Sequence, residues 1–332
     1  MRDFIEEICG KVLEEKGIKK EEALRLSRAE GGDIFSLLEA ANRIREKFRG
    51  DEVDLCAVVN AKSGDCSEDC IFCSQSAHHR ANIERFPLVS AEEMLGAAKK
   101  AEKMEAAEFG IVTSGRGIND REAAVIGEGL RLIGEKLSLR RCASLGTLSP
   151  GRARLLKESG LQRYHHNLES SESFFPQICT THSFRERLET VRVAKEAGLE
   201  VCSGGIFGLG ETPGQRVELA FTLKELRVDS IPLNFLHPIP DTPCEKRLPP
   251  VPLDILKTVA LFRFVLPGKD IKVCGGRERN LRSLQPLLFL AGANGMLIGN
   301  YLTTSGQTPE ADLQMIKDLG LRVRPREIRN HE

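Results

Sequence analysis

Short apolar stretches alternate with amphipathic helical patterns from about residue 53 onward, and this alternation limits the possible fold more than any other feature. Parallel strands need a long crossover connection, usually a helix, so a βαβα order is typical of a parallel sheet. The candidate strands are the segments 54–61, 107–113, 139–144, 162–167, 199–205, 230–235, 270–274 and 295–299. Eight such units predict an α/β fold, a (β/α)8 TIM-type barrel, with functional residues on the loops that follow the strands.

The chain length is compatible with one such barrel and an N-terminal helical extension. A (β/α)8 barrel needs about 250 residues, and the chain has 332. Residues 1–50 carry helical patterns without chemically suggestive side chains, so we expect a helical cover packed on the barrel. The barrel is then expected at 51–325 and a tail at 326–332. Without internal repeats or low-complexity tracts, a single catalytic domain is the simplest organisation.

Charge and composition restrict the partners. The chain has 48 Lys and Arg against 48 Asp and Glu, so no overall field would attract nucleic acid or an anionic membrane. We therefore expect a small substrate. No apolar run would span a bilayer, and the first residues do not form a signal segment. The ten cysteines then predict metal-bound thiols in a reducing cytoplasm rather than disulfides.

Three of these cysteines form a cysteine loop, residues 66–73, directly after the first predicted strand. Cys66, Cys70 and Cys73 follow the spacing C-x3-C-x2-C. A tetrahedral ion takes four ligands and a cubane four thiolates, so three thiolates would leave one iron open for a cofactor. Two alternatives stay open: a structural zinc with one ligand from elsewhere, and idle buried thiols.

With Phe72 before its last cysteine, the loop resembles the signature of the radical S-adenosylmethionine enzymes. In that superfamily three cysteines hold a 4Fe-4S cluster whose fourth iron chelates S-adenosylmethionine. An electron from the cluster then cleaves the cofactor to a 5'-deoxyadenosyl radical. The resemblance implies that Phe72 lies beside the bound cofactor.

Further motifs narrow the resemblance to one family within that superfamily. They lie at 60–65, 74–76, 145–148, 166–169, 202–206, 208–212 and 291–294. Together they resemble the biotin synthase family over most of residues 30–322. The resemblance implies insertion of one sulfur between two unactivated carbons of dethiobiotin, with one S-adenosylmethionine consumed per C–H bond. It also implies an electron donor such as flavodoxin or ferredoxin, and a homodimer.

Two other functions remain possible at this stage. A related radical enzyme, similar to a hydrogenase-cofactor maturase or a methylornithine synthase, would lack the complete sulfur-donor site. The motifs at 60–64 and 202–205 count against it. The second alternative is a non-catalytic iron-sulfur or zinc protein, in which the metal-bound loop only stabilises the fold.

The family resemblance also assigns residues to the cofactor and the substrate. Arg187 matches the arginine that pairs with the cofactor carboxylate, a task suited to a planar two-pronged donor. Without the resemblance, Arg187 is more simply a solvated helix arginine. Asn167 and Glu169 match positions near the cofactor ribose and the substrate, where the family often has Asp at the second position. Asn234 matches a substrate-binding asparagine.

The sulfur-donor site departs from the family pattern, in which three cysteines and one arginine hold an auxiliary 2Fe-2S cluster. Cys142, Cys202 and Arg277 match three of these four ligands. The position of the remaining cysteine, on the second strand, is occupied by Gly110. Glycine has no side chain to bind iron, so one ligand of the usual set is missing.

Two additional cysteines are candidates to replace it. Cys56 is predicted on the first strand and Cys274 at the end of the seventh. Inward side chains from different strands meet in an eight-stranded barrel. We therefore predict that Cys56, Cys142, Cys202 and Cys274 hold a larger 4Fe-type cluster, with Arg277 as a hydrogen-bond donor. The alternative is that Cys56 and Cys274 are only small buried side chains.

The remaining histidines and cysteines receive structural interpretations. His165 and His166 are adjacent on a predicted strand, so they point to opposite faces and cannot both bind one interior metal. Cys9, Cys179 and Cys244 lie away from the predicted strand ends, and we interpret them as free thiols.

Overall fold

A closed parallel barrel forms the body of the protein, whose computed structural model describes residues 1–326. Neighbouring strands pair in parallel in the order β1-β2-β3-β4-β5-β7-β8-β9, with β6 paired to β7, and the pairing of the first strand with the ninth closes the cylinder. Its strands are β1 Glu52–Lys62, β2 Glu108–Thr113, β3 Arg140–Ser144, β4 Arg163–His165, β5 Glu200–Cys202, β6 Gly205–Phe207, β7 Ser230–Phe235, β8 Asp270–Val273 and β9 Gly295–Leu297. The predicted (β/α)8 fold is confirmed.

The fifth barrel position consists of two short strands, whereas the sequence predicted one strand at 199–205. β5 pairs with β4 and β7, and β6 pairs with β7 alone. Gly204 lies between them, where the backbone approaches β7 so closely that a Cβ would lie 1.9 Å from the carbonyl oxygen of Pro232. A side chain cannot fit there, so this glycine allows the break.

Helices surround the barrel. They are α1 Arg2–Leu13, α2 Lys20–Leu26, α3 Gly32–Arg49, α4 Ala91–Lys103, α5 Asp120–Lys136, α6 Pro150–Glu158, α7 Phe184–Glu196, α8 Pro213–Glu225, α9 Pro252–Val265, α10 Arg277–Leu281, α11 Leu287–Leu290 and α12 Pro309–Asp318. Two short 3-10 helices, Phe175–Gln177 and Arg282–Leu284, lie between them.

Side-chain caps fix where several crossover helices begin. Ser90 caps α4, Asn119 caps α5, and Ser183 caps α7, each with a glutamate three residues later that completes a capping box. These paired hydrogen bonds satisfy backbone N–H groups that a helix start leaves open. The loop before each cap is thereby held at the carboxyl end of its strand.

The N-terminal helices pack on the outside of the barrel. α3 contacts α9 and α11, and α2 contacts α8. α9 is buried on nearly all faces, because the barrel covers one side and α3 the other. No described helix is long and apolar enough to cross a membrane.

The C-terminal end adds a short strand that the sequence interpretation missed. β10 Arg322–Val323 pairs in parallel with β1 at Glu52 and Val53. Of the predicted tail at 326–332, only residue 326 lies within the described part of the chain.

Candidate active site

Two adjoining cavities open at the carboxyl ends of the strands. The larger has a volume of about 390 Å³, and the smaller about 180 Å³. Phe72, Cys73, His165, Asn167 and Glu169 line both. The cavities therefore meet at the residues that follow β1 and β4, where the active sites of TIM-type barrels lie.

The cysteine loop lines the smaller cavity with its three thiols. Its backbone folds on itself, since the N–H of Cys66 donates to the carbonyl of Gln75 at 3.0 Å and that of Cys73 to Cys70 at 3.0 Å. The Ile71 N–H donates to the carbonyl of Ile178 at 3.0 Å, which fixes the loop to the segment before α7. Burial raises the pKa of Cys73 to about 11.

Arg187 lines the same small cavity, and its side chain is 12% exposed, so it is not a solvated helix residue. Its guanidinium donates to the carbonyl oxygen of Asn167 at 2.9 Å and to His182 Nε2 at 3.0 Å. It lies 3.6 Å from the carboxylate of Glu169. The structure thus places a buried cation in the cavity that the three loop cysteines line.

Asn167 and Glu169 follow β4 and lie at the junction of the two cavities. The Asn167 side-chain oxygen accepts a hydrogen bond from the Gly204 N–H at 3.1 Å. Glu169 has a φ of 66°, and its carbonyl accepts from the Ile206 N–H at 2.8 Å. Burial raises the pKa of the Glu169 carboxyl. The Asn167 side chain is thus held by Gly204, and the Glu169 backbone by Ile206 of β6.

Asn234, on β7, lines only the larger of the two cavities. Its side-chain nitrogen donates to the Gly205 carbonyl at 3.3 Å, and its oxygen accepts from the Gly275 N–H at 2.9 Å. The amide is therefore oriented by backbone groups of two neighbouring strand ends.

Four cysteines, which we call the thiol layer, converge on the larger cavity: Cys56, Cys142, Cys202 and Cys274. Burial raises the pKa of Cys202 to about 11 and that of Cys274 to about 12. Gly110 also lines this cavity and pairs in register with Cys142.

The thiol layer does not form a tight group of metal ligands. Among the described residues, a group of three or more ligand atoms within 4.8 Å of one another is found only at Cys70, Cys179 and His182. No three thiols of the layer are that close. The role of these thiols as cluster ligands therefore stays a prediction.

Arg277 does not line the cavity that these thiols share, although its charge acts on Cys274. Its fully buried guanidinium contacts both carboxylate oxygens of Asp312 at 2.9 Å and also donates to Gln285. It is absent from the residues that line either cavity. Two of its nitrogens are directed to Asp312 of α12, whereas its buried Nε has no hydrogen-bond partner, so the predicted role of Arg277 as a cluster ligand stays a prediction.

A charged layer that the sequence interpretation missed lies below the thiols. Lys272 Nζ lies 2.6 Å from Glu108 and 3.0 Å from Asp54, and Arg163 is paired with Glu108. Burial favours the neutral form of Glu108, but the charges of Lys272 and Arg163 lower its pKa to about 2. We define the charged layer as Asp54, Glu108, Arg163 and Lys272.

The spacing along the strands could have revealed this layer. Asp54 precedes Cys56 by two residues, as Lys272 precedes Cys274. Residues i and i+2 of a strand face the same side. Charges two positions before each inward thiol therefore predict a second inward layer.

His165 ends β4 and His166 follows it; both line the smaller cavity, but only His165 lines the larger one. His165 lines the larger cavity, with Nδ1 at 3.4 Å from Cys202 Sγ, and burial lowers its pKa to about 4. His166 is absent from that cavity and stacks on Tyr164.

Comparison with known proteins agrees with this geometry. Residues 62–223 match the radical SAM superfamily, and residues 232–322 match the biotin and thiamin synthesis associated domain. The chain is 50% identical over 323 residues to a biotin synthase of Citrifermentans bemidjiense, covering 97% of this chain and 98% of the relative. It is 51% identical over 325 residues to a biotin synthase of Geobacter sulfurreducens, covering 98% and 99%.

The chain belongs to the biotin synthase family. Biotin synthases of this family are radical enzymes that depend on S-adenosylmethionine and a 4Fe-4S cluster, and the predicted family is confirmed. The alternative of a non-catalytic iron-sulfur protein is thereby wrong.

Solved structures share the fold with this biotin synthase family member at low sequence identity. A methylornithine synthase superposes with a TM-score of 0.83 at 18% identity, covering 96% of this chain and 98% of that one. An FeFe-hydrogenase maturase from Carboxydothermus hydrogenoformans superposes with a TM-score of 0.81 at 20% identity, covering 96% and 78%. At such identities the likeness establishes the barrel alone.

Proposed function

We propose that this chain inserts sulfur into dethiobiotin to form biotin, with its two cavities acting as one reaction chamber. When bound, the 4Fe-4S cluster and S-adenosylmethionine supply a carbon radical that takes hydrogen from unactivated C–H bonds, and an auxiliary cluster supplies the sulfur. The observation that carries the proposal is the junction of the cavities, with the cysteine loop at one end and the thiol layer at the other.

Radical chemistry fits the proposed reaction because the C–H bonds of dethiobiotin that react are unactivated. No side chain is basic enough to deprotonate an unactivated C–H bond. The residues facing the junction are instead proposed to position dethiobiotin and to shield it from solvent. Asn234 is proposed to orient the polar end of dethiobiotin, while Val58, Val112 and Ile206 give the larger cavity apolar walls.

The cofactor end is proposed to depend on seven residues. The thiolates of Cys66, Cys70 and Cys73 would hold the 4Fe-4S cluster. Arg187 would pair with the cofactor carboxylate, because a buried guanidinium without full pairing favours an anion. Phe72, Asn167 and Glu169 line the space between this arginine and the larger cavity, where the cofactor nucleoside would lie.

The thiol layer is proposed to hold the auxiliary cluster as a 4Fe-type centre. Cys56, Cys142, Cys202 and Cys274 supply four thiols from four barrel positions. The missing ligand at Gly110 is thereby replaced, and the ion pair of Arg277 with Asp312 leaves that arginine outside the ligand set. Lys272, directly below, would offset part of the negative charge of the thiolates.

We further propose a flavodoxin or ferredoxin as electron donor and a homodimer as the assembly, both carried over from the family. Light scattering of the purified chain tests the dimer, and reduction of the loaded enzyme by each donor tests the electron source.

The decisive experiment is an anaerobic assay of reconstituted protein. Dethiobiotin, S-adenosylmethionine and a reductant should yield biotin, with two molecules of 5'-deoxyadenosine per biotin, measured by mass spectrometry. Cys274→Ala should abolish biotin formation but retain cofactor cleavage. Cys244→Ala is the matched control, because this buried thiol lies outside both cavities. Cofactor cleavage by the unaltered enzyme without any biotin would contradict the proposed substrate.

Iron analysis tests the cluster type separately. Two four-iron centres predict about eight irons per chain, and loss of the auxiliary centre in Cys274→Ala predicts about four. A Mössbauer spectrum with only a two-iron auxiliary centre, unchanged by this substitution, would contradict the proposal.

A further inference from the structure

Two segments far apart in sequence lie side by side at the cysteine loop, and each brings one cysteine to the contact. The residue after Cys70 donates its backbone N–H to the carbonyl of Ile178 at 3.0 Å. The residue before it, Asp69, accepts from the Thr180 N–H through Oδ1 at 2.9 Å. The cysteine between these two partners, Cys179, is thereby held opposite Cys70, and the two sulfur atoms lie within 4.8 Å of each other.

The two thiols differ in their access to the candidate active site. Both are buried, but Cys70 lines the smaller cavity, whereas Cys179 lines neither of the two cavities. A small oxidant that enters the smaller cavity therefore reaches Cys70 first. Cys179 is a free thiol, as predicted, but it lies directly beside the thiol that such an oxidant would attack.

Hydrogen bonds orient the Cys179 sulfur. It donates to Asp69 Oδ1 at 3.2 Å, and His182 Nδ1 lies 3.2 Å away. Arg187 donates to His182 Nε2 at 3.0 Å, so the ring proton is on Nδ1, which also contacts the Glu68 carboxylate. The sulfur is therefore held in one place between a hydrogen-bond acceptor and a hydrogen-bond donor.

The three loop cysteines do not form an equally tight group. Cys66, Cys70 and Cys73 are described residues, and their sulfur atoms are not all within 4.8 Å of one another. A disulfide needs two sulfurs that can approach to about 2.05 Å without movement of the backbone. The backbone links on either side of Cys70 and Cys179 provide this condition.

We propose that Cys179 is a resolving thiol for Cys70, and that hydrogen peroxide joins the two in a disulfide in the cluster-free chain. The peroxide O–O bond breaks at the Cys70 sulfur, which gives a sulfenic acid and one water. The Cys179 sulfur then displaces the sulfenic oxygen, which leaves with the thiol proton as a second water. The two thiols thereby lose two electrons together, and one peroxide is reduced to two waters.

The disulfide protects Cys70 from irreversible oxidation. A sulfenic acid without a partner thiol is oxidised further to a sulfinic acid, whereas a dithiol reduces a disulfide by exchange. While the disulfide is present, Cys70 cannot bind iron, so assembly of the 4Fe-4S cluster waits for reduction. This consequence rests on the proposed role of Cys70 as a cluster ligand; the disulfide itself does not.

Cross-link mapping tests the pair. The full-length chain, freed of iron by anaerobic chelation and fully reduced, is treated with hydrogen peroxide equimolar to the chain, and the remaining thiols are blocked with N-ethylmaleimide. Mass spectrometry with peptide fragmentation should identify Cys70–Cys179 as the main disulfide. Cys244→Ser is the matched control, because this buried thiol lies outside both cavities, and it should leave the cross-link unchanged.

Trapping of the sulfenic acid is the second measurement. Cys179→Ser keeps the hydrogen-bonding capacity of the thiol but cannot form a disulfide. The Cys70 sulfenic acid then loses its partner, so dimedone should label Cys70 about fivefold or more above the unaltered chain. Cys244→Ser should label as the unaltered chain does.

The opposite pattern would overturn the proposal. Disulfides confined to the cysteine loop, with Cys179 recovered as the maleimide adduct, would show that Cys179 does not resolve Cys70. Equal dimedone labelling of the unaltered chain and Cys179→Ser would also refute it. Near-UV circular dichroism verifies that the variants are folded, and the cross-link map of the unaltered chain needs no variant. Neither readout requires iron or biotin formation, so this test and that of the proposed function fail independently.

Discussion

Replacing Lys272 by methionine should expose how strongly the charged layer supports the barrel. Methionine keeps the length of the side chain and removes its charge. The Lys272 ammonium lies 2.6 Å from Glu108 and 3.0 Å from Asp54, and all three side chains are at most 3% exposed. The substitution therefore leaves two buried carboxylates without their shared partner.

The expected loss of unfolding free energy is about 3 kcal/mol. Breaking a buried ion pair by removing one partner costs roughly 3–5 kcal/mol, because the remaining charge stays desolvated. The loss is expected at the lower end of this range because each carboxylate keeps one cationic partner. Glu108 remains paired with Arg163, and Asp54 remains 3.0 Å from Arg324. The total free energy of unfolding of a domain is only about 5–15 kcal/mol, so such a loss is easily measured.

Stability of the variant should also depend on pH in a defined direction. Without the ammonium, burial raises the native pKa of Asp54 and Glu108 above their unfolded values of about 4. The native state then binds more protons than the unfolded state, so stability falls as pH rises. The difference from the unaltered protein should shrink as pH falls from neutral toward about 4, because these carboxyls become protonated in the native variant before they do in the unfolded chain.

Urea denaturation followed by circular dichroism measures both effects. Lys269→Met is the matched control, because this half-exposed lysine lies 3.9 Å from Asp229 and should change stability by less than about 0.5 kcal/mol. A loss below about 1 kcal/mol for Lys272→Met, or a loss that grows on acidification, would refute the reasoning.

Three further substitutions test the site. Cys73→Ala should abolish cofactor cleavage, because a cubane with two protein thiolates is not anchored, and full 5'-deoxyadenosine production would contradict the assignment. Arg187→Ala should weaken S-adenosylmethionine binding, measured by equilibrium dialysis, and leave the iron content intact; loss of iron would mean that this arginine supports the loop instead. Gly110→Cys should lower stability by about 1–3 kcal/mol, since a Cβ would lie 3.2 Å from Val58 Cγ1. Thermal denaturation should show partial recovery with Val58→Ala added, and no recovery would exclude this contact as the cause.

Much of the fold was predictable because it follows from local patterns. Alternating strands and helices predicted the barrel, and apolar strands ending in unusual residues located the site. The break at Gly204 was not predictable, because it depends on the approach of the Pro232 carbonyl from another strand. β10 was missed because two residues carry no periodic signal.

The site was predictable only where side-chain direction follows from strand alternation. The thiol layer lies on strands or at their ends, so facing positions could be assigned from sequence. Arg277 lies at the start of α10, where its direction depends on Asp312 in α12. The contact of Cys179 with Cys70 joins two loops far apart in sequence, and no spacing rule connects them.

The position of the charged layer has a consequence for the proposed auxiliary centre. Its ion pairs lie below the thiol layer, whereas Phe72 and Cys73, at the junction with the smaller cavity, lie on the side where cofactor and substrate are proposed to bind. If the sulfur supply of the proposed centre is renewed from that side, a bound cofactor and substrate would block it. Under the proposal, each renewal of sulfur would therefore precede the binding of both.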